Sequence, residues 1–161
     1  MFRLVILLSG AFLLLLAPVL GQQDDFSGDV DNLCLGCICE AASDCDRQAG
    51  CLGDVCGLFK ITRPYWVDAG RPLVQGDDPE QAEAYPRCSS DPTCSARAVQ
   101  NYMAKYKQDC DGDGAVDCQD YAAIHRLGGY GCKGDLDPVY KGKVKACLNQ
   151  WQTDLFRSGG P

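Results

Sequence analysis

The sequence is poor in histidine, in acceptor sites for N-linked glycan and in basic residues relative to acidic ones. It holds one histidine, His125, and no Asn-x-Ser/Thr acceptor site for N-linked glycan. Acidic side chains outnumber basic ones: 22 Asp and Glu stand against 15 Lys and Arg, and without Arg3 the formal charge is −8. This excess disfavours nucleic acid or an anionic membrane as the main partner. There is no internal repeat, and the length suits one domain.

The first residues are typical of an export signal. Arg3 precedes an apolar run over residues 4–16, and Ala17, Pro18 and Gly21 then supply a helix break and small residues suited to signal peptidase. A membrane anchor is the alternative, but the run is short for a bilayer span. We predict a secreted, extracellular protein with a signal peptide over 1–21, a flexible acidic lead-in over 22–31, one domain over 32–151 and a tail over 152–161.

All twelve cysteines follow the predicted signal peptide. An even, dense set of cysteines in an exported chain predicts a disulfide framework. Cys34, Cys37 and Cys39 also resemble a metal-binding C-x-x-C-x-C run, but export and the single histidine make zinc the weaker interpretation.

Helical patterns dominate the second half of the chain. Asp91-Pro92 and Asp137-Pro138 are typical helix starts, and a further helix is predicted from about Gln119 to Leu127. Apolar residues at helical spacing predict two buried faces, formed by Val99, Tyr102, Met103 and Tyr106 and by Tyr140, Val144, Cys147, Leu148 and Trp151. In the first half, β-branched and aromatic content over 57–69 predicts a short strand pair, and 70–87 reads as a surface loop. The expected fold is a small α-rich α+β domain.

Several blocks of sequence occur in an order that resembles the invertebrate-type, or destabilase-type, lysozymes. They are CLGCICEAASDC (34–45), CGLFKITRPYWVDAG (56–70), VQNYMAKY (99–106) and DCQDYAAIHRLGGYGC (117–132). The resemblance implies a disulfide-stapled lysozyme-like fold whose cleft binds bacterial peptidoglycan. It implies hydrolysis of the β-1,4 bond between N-acetylmuramic acid and N-acetylglucosamine, in antibacterial defence or digestion, with no required cofactor.

The resemblance also suggests which cysteines pair. It implies the local bridges Cys39–Cys45, Cys51–Cys56 and Cys88–Cys94, and leaves the pairing of cysteines 34, 37, 110, 118, 132 and 147 open. Relatives commonly carry two further cysteines where this chain has Ala69 and Ala98. One bridge of the family is therefore expected to be missing.

The catalytic residues that the resemblance implies are only partly present. A retaining glycosidase needs an acid and a nucleophile about 5–5.5 Å apart. The family's acid is a Glu three residues after the C-x-C pair, where this chain has Ala42, while its nucleophile matches Asp54 in a shortened loop. Glu40 and Asp44 are candidate replacement acids. The predicted function is a secreted lysozyme; the alternative is a catalytically impaired, peptidoglycan-binding relative.

Three further residues are candidates for sugar binding. By resemblance His125 lines the cleft near the sugar. The rings of Tyr65 and Tyr121 are suited to stacking on the apolar face of a pyranose, although burial in the core is the alternative for both.

A separate acidic segment resembles an EF-hand calcium loop. Asp109, Asp111 and Asp113 fall at loop positions 1, 3 and 5, the carbonyl of Ala115 at position 7, and Asp120 at position 12. Aspartate in place of glutamate at the last position departs from the usual loop. A structural calcium ion is the prediction here, and an Asp-Gly turn between two helices is the alternative.

Overall fold

The computed structural model describes residues 30–157, so the predicted signal peptide, most of the lead-in and the last four residues lie outside the described residues. Within that range the chain forms six helices: α1 (Asn32–Ser43), α2 (Arg63–Asp68), α3 (Ala84–Ser90), α4 (Pro92–Tyr106), α5 (Cys118–Leu127) and α6 (Pro138–Arg157). Three short strands, β1 (Cys51–Leu52), β2 (Val55–Cys56) and β3 (Ile61–Thr62), make an antiparallel sheet in the order β1-β2-β3. The predicted α-rich α+β class is confirmed.

Aspartate side chains set the start of the main helices. Asp31 accepts a hydrogen bond from the backbone N–H of Cys34 at 2.7 Å, and Asp91 accepts one from Cys94 at the same distance. Each bond satisfies an amide that has no partner inside the helix. Asp137 accepts from the N–H of Tyr140 at 2.9 Å in the same way. The two helix starts predicted from Asp-Pro pairs are therefore confirmed.

The predicted strand pair over 57–69 is wrong. Only Ile61–Thr62 of this segment is a strand, and helix α2 begins at the next residue. The hydroxyl of Thr62 caps that helix by accepting from the N–H of Tyr65 at 3.3 Å, and Pro64 fits its first turn. The cap by Thr62 and the position of Pro64 in the first turn favour a helix here, and they outweigh the β-forming tendency of the aromatic residues that follow.

The segment 70–87, predicted as a surface loop, is only partly one. Helix α3 begins at Ala84 and buries Ala84 and Tyr85. The hydroxyl of Tyr85 donates to the carbonyl oxygens of Ile61 at 2.7 Å and Asp54 at 3.0 Å. The last residues of the predicted loop therefore fasten the sheet to the helical part of the domain.

Six disulfides hold the helices together. The three predicted local bridges, Cys39–Cys45, Cys51–Cys56 and Cys88–Cys94, are confirmed. The other six cysteines pair as Cys34–Cys118, Cys37–Cys147 and Cys110–Cys132. Two of these long-range bridges fix α1 to α5 and to α6. Helix α1 is therefore tied on two sides, and the residue at its end, Ala42, is held in a defined place.

The C-terminal helix departs from two predictions. Trp151, predicted on the buried face, is 51% exposed, and the helix continues to Arg157 through residues predicted as a tail. Beyond Cys147, which is bonded to α1, the exposed run over 149–154 shows the helix leaving the body of the domain. No helix in the described part of the chain has the length and apolar character that a bilayer span requires.

Candidate functional site

A cleft of about 330 Å³ lies where α1, the sheet, α2, α4, α5 and the start of α6 meet. Ala42 contributes from α1, Val55 from the sheet, Tyr65 from α2, His125 from α5 and Tyr140 from α6. The structure thus brings together two of the predicted sugar-binding residues, Tyr65 and His125, with the position of the family's missing acid. We refer to this feature as the cleft.

His125 is fixed by hydrogen bonds at both ring nitrogens. Its Nε2 lies 2.8 Å from the carbonyl oxygen of Phe59, which can only accept, so Nε2 carries the proton. Its Nδ1 is therefore unprotonated and accepts a hydrogen bond from the hydroxyl of Tyr65, which lies 3.1 Å away. Burial, assisted by the charge of Arg126 and partly offset by the hydrogen bond to Phe59, lowers the pKa of His125 to about 4. The imidazole is neutral at ordinary pH and orients the Tyr65 ring.

Tyr121 is not brought into the cleft. It lies on α5 with 3% of its surface exposed, packed in the core, and is not among the described residues that line the cleft. Its role in sugar binding stays a prediction.

The candidate carboxylates do not line the cleft either. Glu40 is exposed on α1, whereas Ala42 points into the cleft two residues later. Asp44 caps the end of α1 in the left-handed conformation, φ 55°, and its carboxylate lies 2.7 Å from the Nζ of Lys143. Asp54 is exposed in the two-residue turn between β1 and β2, next to Val55, which does line the cleft. Catalytic roles for these three acids stay predictions.

Asp68 is the one carboxylate among the described residues that line the cleft. It accepts from the Nζ of Lys105 at 2.7 Å and from the hydroxyl of Tyr106 at 3.0 Å. The hydrogen bond from Lys105, followed by the one from Tyr106, lowers the pKa of Asp68 below its usual value. Asp68 is therefore ionised and holds no proton to donate. The P-Y-W-V-D segment contained it, but nothing in that segment marked it as a site residue.

Tyr140 is a second residue of the cleft that sequence reasoning assigned only to the core. It is 4% exposed, and its hydroxyl has no hydrogen-bond partner among the described residues. The guanidinium carbon of Arg126 lies 5.5 Å from the centre of its ring. A buried hydroxyl without a partner is costly. Ala42, which lines the same cleft, has only a methyl side chain and cannot accept a hydrogen bond from this hydroxyl.

The predicted calcium loop is partly assembled at the N-terminal end of α5, whereas the cleft residues His125 and Arg126 lie near its C-terminal end. Carboxylate oxygens of Asp109, Asp111 and Asp120 lie within 4.8 Å of one another, a group that does not include Asp113. Asp113 instead accepts from the N–H of Ala115 at 2.8 Å, and both are exposed.

Asp120 has a structural role that the sequence pattern did not show. It is 1% exposed, and its two oxygens accept from the backbone N–H groups of Cys110 and Asp117 at 2.7 and 2.8 Å. These bonds close the loop and cap α5 in a capping box with Asp117. Calcium binding stays a prediction: titration with Ca²⁺ should raise the melting temperature of the protein but not that of Asp109→Asn. No shift in the wild type would contradict it.

Comparison with known proteins identifies the family. Residues 31–147 match the Destabilase family. The chain belongs to this family, the invertebrate-type lysozymes. It is 36% identical over 118 residues to Invertebrate-type lysozyme 3 of Caenorhabditis elegans, covering 71% of this chain and 84% of that protein. It is 37% identical over 136 residues to Lysozyme 1 of Crassostrea virginica, covering 80% of this chain and 66% of that protein.

Solved structures agree with this assignment. The chain is similar to the lysozyme complex "Crystal structure of Aeromonas hydrophila PliI in complex with Meretrix lusoria lysozyme", with a TM-score of 0.57 and 29% identity over 73% of this chain and 89% of that chain. It is also similar to Tapes japonica lysozyme, with a TM-score of 0.51 and 30% identity over 76% and 86% of the two chains. The predicted family and fold are confirmed. The relatives and the solved structures also support a lysozyme-like function for this chain.

Proposed function

We propose that this protein is a secreted, lysozyme-like protein that binds the glycan strands of bacterial peptidoglycan in its cleft and hydrolyses them far more slowly than relatives with the family's glutamate. The observation that carries the proposal is Ala42, which lines the cleft and, by resemblance to the family, stands at the position of its catalytic acid. The signal-like first residues and the disulfides are consistent with an extracellular role in defence or digestion.

Among the described residues that line the cleft, neither the one carboxylate nor the one imidazole can replace this acid at neutral pH. Asp68 is ionised, because Lys105 and Tyr106 hold its pKa below the usual value. His125, with a pKa of about 4, is unprotonated. Burial raises the pKa of Tyr65 and Tyr140, so both phenols keep their protons. A missing general acid typically costs about 10²- to 10⁴-fold in rate, which supports slow or absent turnover.

The cleft keeps groups suited to holding a sugar. Aromatic rings form much of its lining: Tyr65 stacks on Tyr102 with ring centres 3.7 Å apart, and Tyr140 lines the same cleft. Pyranose rings present apolar faces edged by hydroxyl groups, so an aromatic and polar cleft complements them. The relatives that the chain resembles are named lysozymes, which supports glycan as the occupant.

A second candidate is an active lysozyme that uses Asp54 as nucleophile and Glu40 or Asp44 as acid. It is favoured by the position of Asp54, which adjoins the cleft-lining Val55. Against it stands the ion pair between Asp44 and Lys143, which engages that carboxylate outside the cleft.

Two measurements distinguish the two candidate functions: sedimentation of the protein with peptidoglycan, and clearing of a Gram-positive cell-wall suspension. Both are made with wild type, Ala42→Glu, Ala42→Gln and Asp54→Asn. We expect wild type to sediment with peptidoglycan yet clear slowly. Ala42→Glu should clear at least about 100-fold faster than Ala42→Gln, which has the same size but no acid.

Two outcomes would contradict the proposal. If wild type does not sediment with peptidoglycan, the binding function is wrong. If wild type clears the suspension rapidly and Asp54→Asn does not, the active lysozyme is correct and an acid other than residue 42 operates.

A further inference from the structure

Tyr130 is the most exposed large apolar or aromatic side chain among the described residues, at 94% exposure. It lies in the turn that follows α5, two residues after Gly128, which lines the cleft. A tyrosine ring left almost wholly in water at the end of a binding cleft makes no contribution to the core.

A continuous row of aromatic rings joins Tyr130 to the cleft. The ring of Tyr130 meets that of Tyr106 edge to face with centres 5.4 Å apart, and Tyr106 lies 4.5 Å from Tyr102. Tyr102 in turn stacks on Tyr65 at 3.7 Å, and Tyr65 meets His125 at 5.4 Å. Tyr102 and Tyr65 are buried members of this row, at 6% and 8% exposure, so the exposed ring reaches the cleft where Tyr106 contacts the cleft-lining Asp68.

The turn that carries Tyr130 is held in a fixed position. A side-chain carbon at Gly129 would lie 2.1 Å from the ring of Tyr106, so only glycine lets this ring pack against the turn. The N–H of Gly129 donates to the hydroxyl of Tyr102 at 3.2 Å, and the amide of Gln108 donates to its carbonyl. A binding group that is fixed before the ligand arrives loses little entropy on binding.

Hydrogen-bonding groups flank the same rings. Lys105 and the hydroxyl of Tyr106 both contact Asp68, which lines the cleft, and the Nζ of Lys105 lies 5.0 Å from the centre of the Tyr106 ring. A charged pair beside an aromatic face can bind the hydroxyl and acetamido groups at the edge of a pyranose while the ring stacks on its apolar face.

We propose that Tyr130 and the partly buried Tyr106, together termed the Tyr130 platform, form an additional subsite that stacks one more N-acetylhexosamine ring of a glycan strand. The platform extends the cleft beyond Tyr65 and His125, so the protein binds longer oligosaccharides more tightly. This inference rests on the proposed glycan-binding function.

The test is calorimetric titration with β-1,4-linked N-acetylglucosamine oligomers of two to six units, using wild type, Tyr130→Ala and Tyr130→Phe. In wild type the affinity should rise up to the length that reaches the platform. Tyr130→Ala should lower the affinity for the longest oligomers by about 3- to 10-fold and leave the shortest unchanged. Tyr130→Phe keeps the ring and should match wild type.

The outcomes distinguish the two proposals. If wild type binds none of the oligomers, the glycan-binding function fails. If it binds them, but Tyr130→Ala changes no affinity or lowers every length equally, the subsite is wrong while the function stands. Because Tyr130 is exposed, unchanged melting temperatures for both variants should show that neither result comes from unfolding.

Discussion

Replacing both Cys37 and Cys147 with alanine should lower the free energy of unfolding by about 3–4 kcal/mol. The bridge joins residues separated by 110 positions and connects α1 to α6. With Cys34–Cys118 intact, the loop that its removal opens runs through that bridge and is still much longer than the loops of the local bridges, and the gain in entropy of the unfolded chain grows with loop length. Urea unfolding monitored by circular dichroism would measure the loss.

A matched control is the pair Cys88→Ala and Cys94→Ala. These cysteines are also buried, at 0% and 2% exposure, but their bridge spans a separation of only 6 residues. Its removal should cost about 2 kcal/mol on the same entropic account. Equal losses for the two pairs would contradict the argument from loop length, because both pairs leave similar buried cavities.

The same bridge has a consequence for the cleft. Ala42 stands at the end of α1 and Tyr140 at the start of α6, and both line the cleft. Cys37–Cys147 ties the helices that carry these two walls, assisted by the ion pair between Asp44 and Lys143. Surface ion pairs add little stability alone, so the covalent bridge is the main connection. Its loss should therefore also weaken glycan binding.

The disulfide bridges show which parts of the fold could be predicted from the sequence and which could not. Pairs six or fewer residues apart, such as Cys39–Cys45, follow from the resemblance and are found in the structure. The partners of Cys34 and Cys37 depend on how α5 and α6 pack against α1, and short-range spacing carries no information on that packing. The helix starts were predictable because an aspartate cap and a proline act locally. The strand pair was wrong because Thr62 caps a helix.

The residues of the candidate site also fall into those that the sequence could predict and those that it could not. By resemblance to the family, counting from the cysteines predicts that Ala42 replaces the catalytic acid, and in the structure Ala42 lines the cleft. Helical spacing predicted that Tyr140 is buried, but periodicity cannot show that its hydroxyl lacks a partner. The glycines before Tyr130 indicated only the end of a helix. Their second role, which is to let the Tyr106 ring pack against the turn, depends on a contact between residues distant in sequence.

Lowering the pH should destabilise wild type relative to His125→Gln, by about 3 kcal/mol once the pH has fallen below about 4. Burial, and then the charge of Arg126, lower the pKa of His125 from 6.5 to about 4 in the folded protein. The unfolded chain therefore takes up a proton below about pH 6.5, whereas the folded chain does so only near pH 4. The stability linked to His125 is complete above pH 6.5 and falls as the pH decreases through this window.

Glutamine is the matched replacement because its amide can donate to the carbonyl of Phe59 and its oxygen can accept from Tyr65, the two bonds that the imidazole makes. Urea unfolding of both proteins at pH 7, 5.5 and 4 gives the difference directly, since the carboxylates that titrate in this range are common to both. Parallel stability profiles would show that His125 titrates normally in the folded state. A difference that widens towards pH 4 would mean that the imidazole is neutral at pH 7 in the folded protein, and so accepts the hydrogen bond of the Tyr65 hydroxyl.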